Sequence, residues 1–594
     1  MQLAAAYYAT TASRLAGEIS RLKKRLLRVS LLRLTIFILV AFSVYFHFRY
    51  PGHNWLIFTF IAVILFLLLL RVSANLASAK KLAEKLLFIN DNEASMLKGG
   101  ANRFDNGHAH RQGSLYADDL DIFGERSLYH FLNRTTTTHG AARLMQLLDA
   151  PFDDTQIIRE QQEAIRQLSP QVQQRQWITA YGLLRDENEG GTTEIGEWIT
   201  TQGRLHNTAW VQILRLLLPV FNIGALLFYL DSNNPIPIGT GVLVSWLFIG
   251  LHGKYIHGQH LLIGKKQSTL DQYSTVLREF HRTAAGSSSL LQKLSATASD
   301  GKHQIKKLSR LTSFFDQRSN LAVNFILNSL AVYDIHCMIA LEKWKLTNRN
   351  RFQDWIGAVG EIEMLNSFAT FAYNHPQYVY PTIAEGGPLI AATAMAHPLI
   401  PEAESVSNDF SIGRSEKMML VTGSNMSGKS TFLRTVGINL LLAQSGAPVC
   451  AQQFTCTTMR ILTSIRISDS LQEHTSYFMA ELKRLRQIIS ELETGTPALV
   501  LIDEVLRGTN SSDKTHGSEA LIRKLISHNC LAIFATHDLS LSELENIYPS
   551  LISNYCFESK IENGELLFDY RLHDGIATNK NATFLMQKMG IIST

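Results

Sequence analysis

Residues 418–436 read MMLVTGSNMSGKSTFLRTV, and this stretch decides the fold. An apolar run, Met418 to Thr422, gives way to Gly423, Ser424, Asn425, Met426, Ser427, Gly428, Lys429 and Ser430, which fit the pattern GxxxxGK followed by Ser or Thr; Thr431 then leads into a helical stretch. In a strand, Gly-rich loop and helix of this kind, backbone amides curl around a phosphate and the helix N-terminus adds partial positive charge. Lys429 can reach the β- and γ-phosphates of a nucleotide, and the Ser430 hydroxyl can ligate Mg²⁺. The pattern arises by chance in roughly a few per cent of chains this long at average composition, so its surroundings have to carry the reading.

Two further apolar runs do so. Ala498 to Ile502 ends in Asp503-Glu504, and Cys530 to Thr536 ends at His537. An acidic pair after a strand is often a surface turn, and a lone histidine is usually a surface or core residue. At the carboxyl ends of strands in a parallel α/β sheet they stand where ligands bind. There Asp503 would hold the magnesium through water, Glu504 would act as general base on the attacking water, and His537 would sense the γ-phosphate. From Pro388 onward, short apolar runs bounded by Gly, Asn and Asp alternate with helical segments, which predicts βα units.

Upstream the texture is helical and partly lipid-like. Of 594 residues, 46% are hydrophobic and only 18% charged, against roughly 25% charged in a typical soluble chain. These figures exclude a disordered, collagenous or disulfide-scaffold chain. The apolar excess is concentrated in 34–48 (LTIFILVAFSVYFHF) and 55–70 (WLIFTFIAVILFLLLL), joined through Pro51-Gly52. Arg33, Arg49 and Arg71 can snorkel, and Tyr50 and Trp55 suit an interface. A transmembrane hairpin is predicted, with basic residues outside both ends placing those ends in the cytoplasm. Ala209 to Leu230 and Ile236 to Ile256 are a second candidate hairpin, with a buried helical pair as the alternative. The net charge of +5 is too mild to declare a nucleic-acid partner. Five cysteines (Cys337, Cys450, Cys456, Cys530, Cys556) without CxxC spacing argue against a metal cage or disulfide framework.

The motifs together resemble the MutS mismatch-repair family. Residues 420–451 (LVTGSNMSGKSTFLRTVGINLLLAQSGAPVCA) are similar to its phosphate-loop region, and LVLIDEVLRGTNSSD (499–513) and FATHD (534–538) to its Walker B, D-loop and histidine motifs. Thr475 to Glu481 looks like its signature segment, and 119–151 (DLDIFGERSLYHFLNRTTTTHGAARLMQLLDAP) like the start of its helical core domain. The resemblance implies an α/β P-loop (ABC/MutS-type) ATPase domain at 388–594 and a large all-α core domain at 116–387; the polar, Gly-rich 101–115 reads as a linker behind the basic N-terminus and hairpin at 1–100. It implies ATP and Mg²⁺ as cofactors, a homodimer with composite sites, Ser476 acting in trans as well as serving as a helix cap, and Asp513 near the dimer seam. Where the family places an adenine-stacking aromatic ahead of the phosphate-loop strand, this chain has Ser405. A second stacking position matches Tyr570, which is equally readable as an ordinary strand aromatic.

Double-stranded DNA is a candidate partner by the same resemblance, yet the Phe-x-Glu wedge domain of mismatch readers is replaced by the hairpin. Phe123-Gly-Glu125 lies inside the core-domain motif, no basic, aromatic-interleaved face is apparent, and KMGIIST (588–594) leaves no room for an appended nuclease. Two functions are therefore carried forward: a multi-pass, cytoplasmic-membrane ATPase facing the cytoplasm and acting on a membrane, protein or DNA partner, and a sensor of mismatched DNA. An ABC transporter is disfavoured because SYFMAE stands where an LSGGQ-like segment is needed.

Overall fold

The computed structural model describes residues 2–50, 55–110, 114–184, 191–283, 288–466, 477–506, 511–562, 565–577 and 591. It opens with two long helices packed along their lengths, α1 (Gln2–Arg49) and α2 (Trp55–Met96). At about 1.5 Å per residue, each is far longer than its apolar run. The excess length has its own job. Leu15, Ile19 and Leu22 of α1 bury against Ala83, Leu86 and Ile89 of α2 at spacings of three and four, a stripe that turns one helical face inward. Beyond that stalk the pair is apolar on its outside: Phe37, Phe42, Phe58, Phe60 and Leu67 are all exposed. Among the polar groups there, the Ser43 hydroxyl pairs across the two helices, with Thr59 Oγ1 (2.8 Å) and the Trp55 carbonyl (3.0 Å).

The base of the stalk is locked by a buried network. Arg134 forks onto the Glu93 carboxylate, Asn374 Nδ2 donates to Glu93 Oε2 at 2.8 Å, and the Tyr8 hydroxyl donates to Asn374 Oδ1 at 2.8 Å. Within 101–115, expected as a linker, residues 101–110 are tied into this region. Asn102 accepts from Asn92 (3.0 Å) and donates to the Asn133 carbonyl (2.9 Å), and Phe104 is buried.

The helical region follows with α3 (Leu128–Leu132), α4 (Thr138–Asp149), α5 (Thr155–Leu168), α6 (Val172–Leu183) and α7 (Gly191–Thr200). Next come α8 (Ala209–Ser232), α9 (Ile236–Ile263), α10 (Gln267–Thr283), α11 (Ser289–Asp316), α12 (Leu321–Ala331), α13 (Tyr333–Asn348) and α14 (Phe352–Asn374). Nearly every face of α14 is buried, and it packs on α4, α5, α6, α10 and α11. Its Glu363 receives the backbone amides of Thr136 (3.2 Å) and Thr137 (3.0 Å) ahead of α4. The α8/α9 pair is not a buried one: Leu217, Val220, Leu227, Leu243, Leu247 and Leu251 are exposed. By length and composition α1, α2, α8 and α9 can each cross a membrane, and α12 with α13 passes the same test as a pair bent by 85°.

The C-terminal region has two sheets. A small mixed one orders β1 (Thr382–Ile383), β2 (Ile390–Met395), β3 (Asn408–Ile412) and β5 (Gln453–Cys456) as β1-β5-β2-β3. The larger contains β4 (Met418–Gly423), β6 (Arg460–Ser464), β7 (Ala498–Asp503), β8 (Cys530–Thr536), β9 (Ile552–Glu562) and β10 (Glu565–Asp574), in the order β10-β9-β4-β8-β7-β6. Only β10 runs antiparallel. Every residue of β4, β7 and β8 is buried, which is why these strands read as unbroken apolar runs rather than alternating ones. Helices α15 (Lys429–Gln444), α16 (Tyr477–Leu492), α17 (Ser511–Ile526) and α18 (Leu544–Ile547) complete the region. Helix α15 lies between the sheet and the helical region, where a side chain at Gly437 would strike Leu120 on one side and Leu501 of β7 on the other.

Candidate nucleotide site

Strand register assembles the site. Thr422 of β4 pairs with Thr536 of β8, and Asp503 of β7 pairs with Ala535. Gly423, Glu504 and His537 therefore leave the sheet side by side at its carboxyl edge. Gly423 has φ +150°, and a side chain there would sit 2.8 Å from both the Phe557 carbonyl and Ser427 Oγ. Met426 (φ +68°) is exposed at the tip of the loop, and Gly428 (φ +110°) turns the chain into α15 without any side-chain cap. The first amides of α15, including those of Ser430 and Thr431, thus lack a capping side chain, an arrangement that suits an anion.

Lys429 is buried, and its Nζ donates to the carbonyls of Gly423 (2.8 Å) and Ser424 (3.0 Å). The Ser430 hydroxyl donates to Asp503 Oδ2, so the two residues expected to hold the metal face each other. Glu504 adopts φ +50°, a left-handed conformation that costs a non-glycine residue roughly 1 kcal/mol or more. Its Oε1 lies 2.5 Å from His537 Nε2. The same nitrogen is 2.8 Å from Asn425 Oδ1 and 3.3 Å from Lys429 Nζ. His537 thereby joins the phosphate loop to the acidic pair.

Tyr570 lies at the irregularity where the β9–β10 register shifts between Phe568 and Leu572. Its ring edge is 3.3 Å from where a side chain on Gly428 would begin, so the ring flanks the loop, partly exposed. Asn408 of β3 pins this bulge, donating to the Tyr570 carbonyl (3.1 Å) and accepting the Leu572 amide (2.7 Å). Ser405 sits in the turn before β3, its amide on the Pro401 carbonyl. Asp513 is exposed in the first turn of α17. Ser476 lies outside the described residues.

Several residues that the sequence reading did not single out surround this site. Glu481 of α16, fully buried, accepts the Leu506 amide at 2.7 Å and so ties the signature helix to the turn after β7. Asp119, also fully buried, accepts from Thr463 Oγ1 (2.6 Å), the Ile465 amide (3.1 Å) and the Arg466 amide (2.7 Å). Asp121 lies between Arg466 (2.5 Å) and Arg434 of α15 (3.4 Å). Burial, and after it the Arg434 charge, pushes the neighbouring His397 down to about 4. The only sequence hint of this layer was the acidic spacing in DLDIFGER, which does not reveal its distant partners.

The MutS domain V family matches residues 419–590. A DNA mismatch repair protein MutS of Thermotoga neapolitana is 35% identical over 222 residues, which are 36% of this chain and 27% of that protein. The DNA mismatch repair protein MSH4 of Arabidopsis thaliana is 36% identical over 220 residues, again 36% and 27% of the two chains. A MutS of Geobacillus kaustophilus is 30% identical over 247 residues, 41% of this chain and 27% of its own. The matched part thus spans about a quarter of the length of these relatives. The comparisons support a MutS-family relationship for the C-terminal part of the chain, carried by a region similar to MutS domain V, a P-loop-type ATPase domain.

Proposed function

We propose that this chain is a membrane-anchored, MutS-like ATPase that binds ATP with Mg²⁺ and hydrolyses it in sites shared by two copies. The observation that carries the ATPase reading is the meeting of Glu504, Asn425 and Lys429 at His537 Nε2, beside the facing Ser430 and Asp503. The residues fit the ligands. Ser430 and Asp503 offer the hard oxygen atoms that Mg²⁺ takes. The Ser427 hydroxyl is buried with no hydrogen-bond partner among the described residues, in a loop whose helix is uncapped. Bound Mg²⁺ would neutralise charge on the β- and γ-phosphate oxygens.

The chain's own groups do the rest. Lys429 Nζ exchanges a loop carbonyl for a phosphate oxygen. The Glu504 carboxylate accepts a proton from the attacking water, and His537 fixes that carboxylate's direction while facing the end of the phosphate chain. Tyr570 offers a ring face to adenine. Ser476 of a second copy would close the open side of the site, with Asp513 near the seam. Glu504→Gln keeps the shape and removes the base, so hydrolysis should fall about 10²–10⁴-fold with ATP binding retained. Equal turnover by wild type and Glu504→Gln, or turnover surviving in Lys429→Ala, would overturn the reading.

The anchoring rests on the exposed apolar sides of α1, α2, α8 and α9, and the basic residues beyond their outer ends favour a multi-pass arrangement in the cytoplasmic membrane with the ATPase region in the cytoplasm. Association with double-stranded DNA, and action on mismatches, come only from the relatives, which are named as DNA mismatch repair proteins. A second reading, an ATP-driven switch acting on a membrane or protein partner without mismatch recognition, is favoured by one observation: α8 and α9 present an apolar exterior from within the helical region. Nucleotide-dependent crosslinking to matched and mismatched duplexes in isolated membranes separates the two. Salt-dependent preference for the mismatch supports repair-type recognition, and no crosslinking to either supports the switch.

A further inference from the structure

The sequence around 320–332 (NLAVNFILNSLAV) reads as part of a long helical stretch, but the chain breaks there. Helix α12 ends at Val332, which has φ +42°, and α13 leaves at 85°. No charged residue lies between Asn320 and Val332. Asn320 caps the start, its side chain accepting the Val323 amide at 3.3 Å. One side of α12 packs on α8 and α9, where the Phe325 ring stacks on Trp246 of α9 with centroids 5.9 Å apart, and Trp246 Nε1 donates to Ser329 Oγ at 3.0 Å. Outside these contacts α12 is bare: Leu321 is 86% exposed and Ile326 55%, and the Phe325 ring, although it stacks on Trp246, is still 59% exposed.

The break itself shows what surrounds it. The carbonyls of Ser329 and Leu330 lie in the last turn of α12, where helical partners run out. In water they would be solvated. Here Asn222 Nδ2 reaches them from α8, at 2.9 Å and 3.4 Å, and also donates to Ser245 Oγ of α9 at 2.9 Å. Asn222 is fully buried and lies near the middle of the 24-residue α8, where a spanning helix is deepest in the bilayer. An amide spent on satisfying backbone carbonyls at that depth is what a hydrocarbon setting demands, because no water is present to do so. Back toward the helical region, His336 Nε2 of α13 meets the Arg215 carbonyl of α8 at 2.9 Å, and Asp316 ahead of α12 meets His260 of α9 at 3.0 Å.

We propose that α12 is a fifth lipid-embedded helix, seated in the bilayer beside α8 and α9, with acyl chains covering Leu321, Ile326 and the open face of Phe325. The proposal rests on the membrane reading of α8 and α9 and adds to it an entry from the cytoplasmic side that does not cross. It gives the bilayer a direct grip on α13, and through it on α14.

Fluorescent labels on single introduced cysteines test this in the full-length protein, reconstituted in phosphatidylcholine nanodiscs with or without nitroxide-bearing acyl chains. Ile326→Cys and Leu321→Cys report on α12, Leu227→Cys on α8, and Lys293→Cys on the exposed side of α11. ATP hydrolysis of each variant serves as the check on folding. Acyl-chain nitroxides should quench labels at 326 and 321 as strongly as at 227, and leave 293 bright. Quenching at 227 with none at 326 and 321 overturns the proposal while sparing the membrane reading, as does disulfide crosslinking of Ile326→Cys between two copies without quenching. Absence of quenching at 227 as well overturns both.

Discussion

Replacing Asp119 with alanine should separate nucleotide binding from hydrolysis. The Asp119 carboxylate is fully buried and receives three donors from β6 and its continuation: Thr463 Oγ1, the Ile465 amide and the Arg466 amide. Removing it strands the two amides, at about 1–3 kcal/mol for each buried donor left unpaired, while the Thr463 hydroxyl keeps the Leu115 carbonyl at 3.0 Å as its acceptor. Some of that is recovered when the segment shifts and admits water, so a net loss of roughly 2–4 kcal/mol is expected, borne by the segment rather than by the whole fold. At about 1.4 kcal/mol per factor of ten, this is on the order of 10–10³ in local opening. Hydrogen exchange at Ile465 and Arg466 should accelerate by that factor, while exchange in β4 and α15 stays unchanged. Under the proposed function, this segment leads into the one carrying Ser476. Hydrolysis should therefore fall well over tenfold, with ATP affinity changing little, because nothing in the phosphate loop touches Asp119. Unchanged exchange at 465–466 would refute the reasoning, as would a loss confined to ATP affinity.

The stalk base gives a pH dependence with a definite sign. Burial alone would raise the Glu93 carboxyl, but the Arg134 guanidinium, with Asn374 and Asn92, outweighs it and holds Glu93 below the usual carboxylate range. Its contribution is therefore complete above about pH 4.3, the ordinary glutamate value, and fades as pH falls through the lower folded value; proteolysis at the stalk base should show docking unchanged down to that point. Glu93→Ala leaves a buried guanidinium unpaired and should cost about 3–5 kcal/mol, read as a fall in melting temperature of the stalk–helical unit. Tyr570→Ala should weaken ATP binding by about 1–2 kcal/mol through lost stacking, with Tyr570→Phe close to wild type; equilibrium titration with a fluorescent ATP analogue would show it.

The phosphate loop, the acidic pair and His537 were legible because the chemistry there forces contiguous residue types: glycines at +150° and +110°, and acids at the end of a strand buried on every residue. The apolar segments of α1, α2, α8 and α9 were legible as helices because hydrophobicity on all sides, kept up for four turns or more, marks either a core helix or a membrane span. What stayed hidden depends on long-range pairing. Asp119 sits 344 residues from Thr463, and Asn222 sits 107 from Ser329, so neither sequence neighbourhood announces its partner. The contacts made within the expected 101–115 linker stayed hidden for a related reason. Its polar, Gly-rich composition is that of a linker, yet Asn102 and Phe104 are buried in it because the stalk base needs donors and an apolar plug.

Helix α14 is where these separate readings meet. Its last residue, Asn374, closes the Tyr8–Glu93 network at the stalk base, and Glu363 in its middle holds the chain entering α4. Its N-terminal end follows α13, the helix that reaches toward α8 through His336. A buried rod fixed at several points transmits displacement poorly by bending and well by moving as one body, since cores repack between discrete arrangements rather than deforming continuously. Strand β1, a few residues beyond Asn374, belongs to the small sheet whose β3 pins Tyr570 through Asn408. The ring beside Gly428 is thus tied through Asn408 to the small sheet, whereas Lys429 and Glu504 follow strands of the large one. Under the proposed function, the two ends of the site are therefore held by different parts of the molecule: the adenine side by the small sheet through Asn408, and the phosphate side by α15, whose Arg434 meets the Asp121 that also pairs with Arg466.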